Sequence, residues 1–345
     1  MAQIKNFMFN CTLRPVKQGT SAYSEDLAKD WKRISLPVTD GTSTVFIELF
    51  GMKYDTIKTM IEVDENGRKT YKTIEVKWDD RKKPSLLDDV AAFRKFVLDV
   101  NDVRQEFIHE YDYIVAVNEA YQKGLLNDRN LYIRGNIVFS EYQGKVQQRF
   151  VPNFIGYSKS NDLSLMGEMS FVFDENSLDF ESGKDKYQLY LDAWVLDYNK
   201  EIKGNGFFKQ TFVYDYSNLP GLTDEELERG KRQLASVRKL FSVKSGYHEF
   251  GFVVKFINGA ETKDFDLDDC TEFELEMLND GQITLEDLKK VKGLKQEYKR
   301  EIRLVRPLIG RYATGVVERD ELTDADFGRG NQHVDTLIDD LDLPF

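Results

Sequence analysis

In "LYIRGNIVFSEY" (Leu131–Tyr142) two kinds of side chain alternate. Leu131, Ile133, Ile137 and Phe139 fall on one face of an extended strand, and Tyr132, Arg134, Asn136 and Tyr142 on the other. The next apolar stretch adds Arg149 and Tyr157 at its own alternate positions. From Arg129 to Lys159 five basic residues stand against one acid, Glu141. Rings interleaved with cations suit sequence-tolerant capture of a single polynucleotide strand, because every base offers a π-face and every nucleotide a charge. The same pattern also describes an ordinary solvated sheet face. A second set, Lys53, Tyr54, Lys58, Arg68, Lys69, Tyr71, Lys72 and Trp78, surrounds the dipeptide Asn66-Gly67. It fits a basic hairpin that wraps a strand of DNA, and equally an edge hairpin whose lysines discourage pairing.

Other chemistries find little support. His109, His248 and His333 sit in no paired ligand spacing. "DFDLDD" (Asp264–Asp269) resembles the opening of a calcium loop, but Asp269 stands where that loop needs glycine and Leu275 where it needs a bidentate glutamate. "KGNGFF" lacks the Gly-Lys-Ser/Thr ending of a phosphate loop, and no nucleophile motif is present. The expectation is a protein without catalytic residues, metal or cofactor. A nuclease or recombination factor with dispersed carboxylate ligands stays open as one alternative, since such ligands need no local motif. A β-rich phage structural or assembly protein is another.

The composition agrees with a folded β-rich chain. Among 345 residues 13% are aromatic, with only 7 prolines. Cys11 and Cys270 are far apart and in no metal-like spacing, which reads as reduced thiols in the cytoplasm. No apolar run is long enough to span a membrane. The net charge of -12 speaks against a polyanionic partner only until it is located. Residues 320–345 hold eight acids against Arg329, whereas Lys289–Arg311 hold nine basic residues against two acids. A basic block abuts an acidic tail.

The elements that position these residues read as short strands with tight turns. "FMFNCTL", "WKRISLPV" and "TVFIELFG" are strands, the last apolar on both faces as a central strand is. Asn66-Gly67, Gln143-Gly144 and Asn258-Gly259 mark hairpins. Val90, Phe93, Val97 and Val100 recur at helical spacing within a helical segment at 85–122, which Gly124 ends. Thr223 with Glu226, and Thr284 with Asp287, open helices near 223–241 and 284–292. The expected fold is α+β, mainly β: OB-like five-stranded barrels with helical insertions and a disordered acidic C-terminal tail. The expected divisions are 1–128, 129–319 and a flexible tail at 320–345.

The last residues, "DDLDLPF" (Asp339–Phe345), resemble the acidic tip of bacterial and bacteriophage single-stranded DNA-binding proteins. The resemblance has motif-level specificity over about the final ten residues only. It implies that Asp339, Asp340, Asp342, Leu343, Pro344 and Phe345 dock into pockets on replication, recombination or repair proteins, the Phe345 ring buried and its carboxylate met by a basic residue. A phage or mobile-element protein that protects single-stranded DNA is then expected.

Overall fold

The computed structural model describes residues 8–15, 22–65, 67–127, 129–199, 203–217, 219, 223–260, 267, 270–285, 287–288, 298–308, 310 and 315–327. The tip Asp339–Phe345 and Lys289–Glu297 of the basic block lie outside them.

The chain is mostly β, with curled sheets. The strands are β1 (Met8–Pro15), β2 (Tyr23–Asp26), β3 (Trp31–Thr39), β4 (Thr44–Met52), β5 (Thr56–Glu65), β6 (Arg68–Lys77), β7 (Phe96–Val100) and β8 (Val103–Phe107). There follow β9 (Leu131–Tyr142), β10 (Lys145–Tyr157), β11 (Met166–Phe173), β12 (Leu178–Asp179) and β13 (Gln188–Asn199). The last are β14 (Gly204–Asp215), β15 (His248–Ala260), β16 (Tyr298–Pro307) and β17 (Val317–Glu318). The helices are α1 (Pro84–Asp89), α2 (Glu110–Gln122), α3 (Asp224–Phe241) and α4 (Glu272–Asn279).

Among the described residues fifteen strands share one sheet, and β5–β6 form a separate hairpin. Within the large sheet two pairing circuits return to their start. The first runs β1–β3–β4–β10–β9–β1 and the second β11–β13–β14–β16–β15–β11. Each circuit contains one parallel contact, β4 with β10 (Ile47 opposite Phe150) and β14 with β16 (Phe212 opposite Ile302). In each, a helix lies between the third and fourth strands. Helix α2 buries Tyr113, Ile114 and Val117, and α3 buries Val237 and Phe241. Phe241 meets Phe173 edge-on at 5.1 Å. β1 joins the circuits by pairing Met8 with Glu168 and Phe9 with Gly167.

Local signals hold where they are strong. Glu65 pairs with Arg68 across Asn66-Gly67, and Gln143 and Gly144 both take positive φ (51° and 69°), as a tight hairpin of matching twist requires. The Thr223/Glu226 capping box opens α3. Thr284 and Asp287 cap each other's backbone, and residues 289–292 of that helix lie outside the described residues.

Several expectations are corrected. Segment 85–122 is not helical throughout: α1 is short, and Val97 and Val100 belong to β7, which turns at Asn101-Asp102 (φ 55° and 58°) into β8. β7 runs beside β10, and that long-range pairing overrides a helical spacing. Asn258-Gly259 is not a turn, because β15 runs straight through it paired with β16. A Cβ on Gly259 would sit 2.2 Å from the Thr42 carbonyl oxygen, so glycine is needed there for close backbone approach. β4 is apolar on both faces, yet one face is open: Val45, Ile47 and Leu49 are buried while Phe46 and Phe50 are exposed. The division after 128 cuts the first circuit, which β9 and β10 complete; the circuits separate at 158–165 instead. Residues 320–327, assigned to the flexible tail by charge, are packed on the body, since Leu322 and Phe327 join a cluster with Val172, Leu196, Phe207 and Tyr247.

Candidate nucleic-acid interface

Strand β10 floors a continuous trough made of three hollows, of about 530, 1010 and 380 Å³: Arg149 and Val151 reach it from the strand's outward face, and Val146, Gln148 and Phe150 line the first hollow from the other. The first two meet at Glu48, Gln148, Arg149 and Arg300, and the last two at Glu110 and Val151. From Val146 to Asn153 the floor spans seven residue steps, about 23 Å at 3.3 Å each.

Strand alternation decides from which face side chains reach it. Phe150 and Ile47 point together into the core, so their neighbours Arg149, Phe46, Glu48 and Phe50 point outward. Phe50 pairs with Arg33 and Trp31 with Met52, which brings Trp31 and Arg33 onto the same side. The Trp31 and Phe50 rings lie 5.8 Å apart. Tyr142, at the turn of the β9–β10 hairpin, overhangs the middle hollow. At the far wall Asn258 accepts a hydrogen bond from the Tyr298 hydroxyl (2.6 Å) and donates to the Thr44 carbonyl, which fixes a tyrosine that is 65% exposed.

The electrostatics are mixed. Arg33, Arg149 and Arg300 face the trough together with Glu48, Glu110, Glu141 and Glu301. Arg33 pairs with Glu48 at 3.3 Å and Arg303 with Glu301 at 2.9 Å, which leaves those two carboxylates compensated. Buried polar atoms normally find a partner. Here the Gln148 Nε2, Arg149 Nε and Asn153 Oδ1 atoms have none among the described residues, and the side chains bearing them line the trough. His109 lines the third hollow. Burial pushes its pKa down, and its Nδ1 accepts the Tyr111 N–H at 3.2 Å to cap α2.

Of the residues singled out from sequence, Tyr142 and Arg149 line the middle hollow and Tyr54, Lys58 and Asn136 the third. Tyr132 and Arg134 sit on the same outward face of β9 but pack on Phe154, at 5.5 and 5.6 Å, and line none of the three hollows. Lys53 pairs with Asp30 at 3.6 Å. On the β5–β6 hairpin, Lys69 pairs with Glu62 at 2.5 Å and Tyr71 meets Phe93 edge-on at 5.0 Å, with Lys72 on the opposite face.

Two placements overturn the expectation. Trp78 is 8% exposed, under the Arg81 guanidinium (3.8 Å) and against His109 and Tyr111, so it is core and offers no ring to a ligand. Tyr157 is on the wrong face. A bulge between Pro152 and Phe154 shifts the register by one residue, which puts Tyr157 opposite buried Leu131, its hydroxyl donating to the Leu125 carbonyl at 2.9 Å. A Cβ on Gly135, opposite the bulge, would lie 2.1 Å from the Val151 oxygen.

Sequence reasoning missed Trp31, Arg33, Phe46, Phe50, Tyr298 and Arg300. For the first four the signal was the off-phase half of the alternation in "WKRISLPV" and "TVFIELFG"; Tyr298 and Arg300 lie in the basic block Lys289–Arg311, which was read only as charge. Among the described residues no group of three His, Cys, Asp or Glu side chains is arranged to hold a metal ion, and no helix is long and apolar enough to cross a membrane. No protein-family model matches the chain, and no curated protein matches it in sequence.

Proposed function

We propose that the protein binds single-stranded DNA along the β10 trough, without catalysis and with little sequence preference. The observation that carries this reading is the run of exposed rings (Phe46, Phe50, Tyr142 and Tyr298), with half-buried Trp31 against Phe50, beside buried polar atoms that lack partners on Gln148, Arg149 and Asn153. Unpaired bases stack on such rings, phosphates meet Arg33, Arg149 and Arg300, and base edges or sugar oxygens take up the orphaned atoms. Duplex DNA keeps its π-faces inside the stack and gains only the charge contacts.

The fold supports the same reading. A five-strand circuit whose third and fifth strands run parallel, with a helix before the fourth, is the pairing we read as OB-type, and this chain has it twice. In that barrel, oligonucleotides lie on the face of the second and third strands and against the loops that join the first to the second and the fourth to the fifth. Here those elements are β3, β4 and the β9–β10 turn, where Trp31, Phe50 and Tyr142 gather. The Asp339–Phe345 tip is proposed to recruit replication, recombination or repair proteins, as its resemblance implies.

Titration of a labelled oligothymidylate against the same length of duplex, over a salt series and with Mg²⁺ present, tests this. Preference for the single strand is expected, with affinity falling as salt rises and no cleavage. Mg²⁺-dependent cleavage would favour a nuclease, and absence of binding at low salt a structural protein. Arg149→Met is expected to lower the slope of log K against log salt by about 0.7, the value of one neutralised phosphate on a single strand.

A further inference from the structure

The second circuit repeats the ring arrangement of the first. On β3 and β4, Phe50 pairs with Arg33, two residues along from Trp31. On β13 and β14, Phe207 pairs with Leu196, two residues along from Trp194. Each circuit thus sets a tryptophan on its second strand diagonally across from a phenylalanine on its third, both on the outward face. The first pair is open, with Phe50 52% exposed. The second is filled by this chain's own Phe327, whose ring lies 4.7 Å from Trp194, 4.5 Å from Phe207 and 4.2 Å from Tyr247, stacked on the last at 23°.

The segment that carries Phe327 is held unequally along its length. At its base β17 pairs with β15, and Arg319 forms a buried ion pair with Glu249. Beyond Arg319 the holds are fewer: Leu322 and Phe327 pack on the cluster, and the Tyr247 hydroxyl donates to Asp324 at 2.6 Å. Asp320, Glu321 and residues 323–326 are exposed. So few contacts make a unit able to open locally while its base stays in place.

The two platforms are connected. Thr211 lines the first hollow of the trough, and Phe207, Lys209 and Thr211 alternate along one face of β14. Four residue steps, about 13 Å, separate Thr211 from Phe207.

We propose that Trp194, Phe207 and Tyr247 form a second stacking site for an unpaired nucleobase, and that Phe327 stands in for the base until a single strand long enough to run along β14 displaces it. This rests on the trough reading, because the strand must arrive from there. A flat ring already occupies the site, stacked on Tyr247 and tilted against Trp194 and Phe207, as a base could be held.

Hydrogen exchange of the full chain, read at 319–327, tests this with oligothymidylates of about six and about thirty nucleotides, lengths chosen to fill the trough alone or to pass beyond it. The long strand is expected to speed exchange at 322–327 several-fold, and the short one to leave it unchanged. Phe327→Ala should bind the long strand about five- to tenfold tighter and the short strand equally, since stacking no longer competes with the resident ring. Adding Trp194→Ala should remove that gain. Binding of the short strand with unchanged or slower exchange at 322–327 under the long one overturns the second site alone, as does a Phe327→Ala protein with no gain. A protein that binds neither strand overturns both the second site and the trough.

Discussion

The two circuits set the same pair of rings on the same strands, and only one pair meets solvent. Among the described residues nothing folds over the sheet around Trp31 and Phe50, and the neighbouring walls carry arginines and orphaned polar atoms. Around Trp194 and Phe207 the chain returns, anchors itself with Arg319, and lays Phe327 between the rings. The difference teaches that an aromatic pair on a sheet face is neither core nor site by composition. What decides is whether another segment of chain, itself firmly anchored, reaches it.

The largest expected effect is at that anchor. Arg319→Met leaves the buried Glu249 carboxylate without its guanidinium, and breaking a buried pair from one side costs about 3–5 kcal/mol. Urea unfolding should show the loss. A loss below about 1 kcal/mol would mean that the segment is only loosely held and the contrast between the circuits weak. Next come the open rings. Trp31→Ala and Phe50→Ala should each weaken single-strand binding by about 1–3 kcal/mol in fluorescence-anisotropy titrations, with the fold unchanged. Equal affinity in both variants would remove this face from the site.

A smaller effect depends on pH. Asp112 of α2 is partly buried, which pushes its pKa up, but hydrogen bonds from Arg81 (2.6 and 3.0 Å) and Lys82 outweigh this and hold it below the usual value. A depressed carboxyl stabilises the fold above its ordinary pKa of about 3.9 and loses that contribution as pH falls through the lowered value. The stability gap between the natural chain and Arg81→Met should therefore be constant from neutral pH down to about pH 5 and close below about pH 4. A gap independent of pH would mean that the clamp between α2 and the Trp78 cluster is packing alone. Smallest is Tyr157→Phe, which should leave DNA affinity unchanged and cost about 1 kcal/mol through the lost bond to the Leu125 carbonyl. Weakened binding would put Tyr157 back on the trough side, against the bulge.

Features that a few adjacent residues decide were legible in the chain. Glu65 pairs with Arg68 and Gln143-Gly144 turns as read, because Gly67, Gln143 and Gly144 adopt positive φ locally, and Thr223 with Glu226 caps α3 because the bonds are made within one turn. The alternation of Tyr132, Arg134 and Tyr142 against Leu131, Ile133 and Phe139 held for the same reason. Features that depend on distant partners were not legible. Val97 and Val100 have helical spacing but lie beside a strand more than fifty residues away. Asn258-Gly259 is a good turn dipeptide that β16 and the Thr42 carbonyl hold extended. One bulge sent Tyr157 to the core while leaving Arg149 outside.

By itself, then, the sequence determined a β-rich chain, its tight turns, its helix caps and the two-faced alternation of its strands, because these follow from backbone sterics and from side-chain spacing within about ten residues. Only the tertiary structure decided which of two apolar faces on β4 is buried, that Trp78 is core, and that Trp31, Phe50, Tyr142, Tyr298 and Arg300 share a trough. Those outcomes are set by pairings such as Ile47 with Phe150 and Asn258 with Arg300, between residues far apart in the chain. A strand's pattern states that its two faces differ. Which face is covered depends on the elements that arrive from elsewhere in the chain.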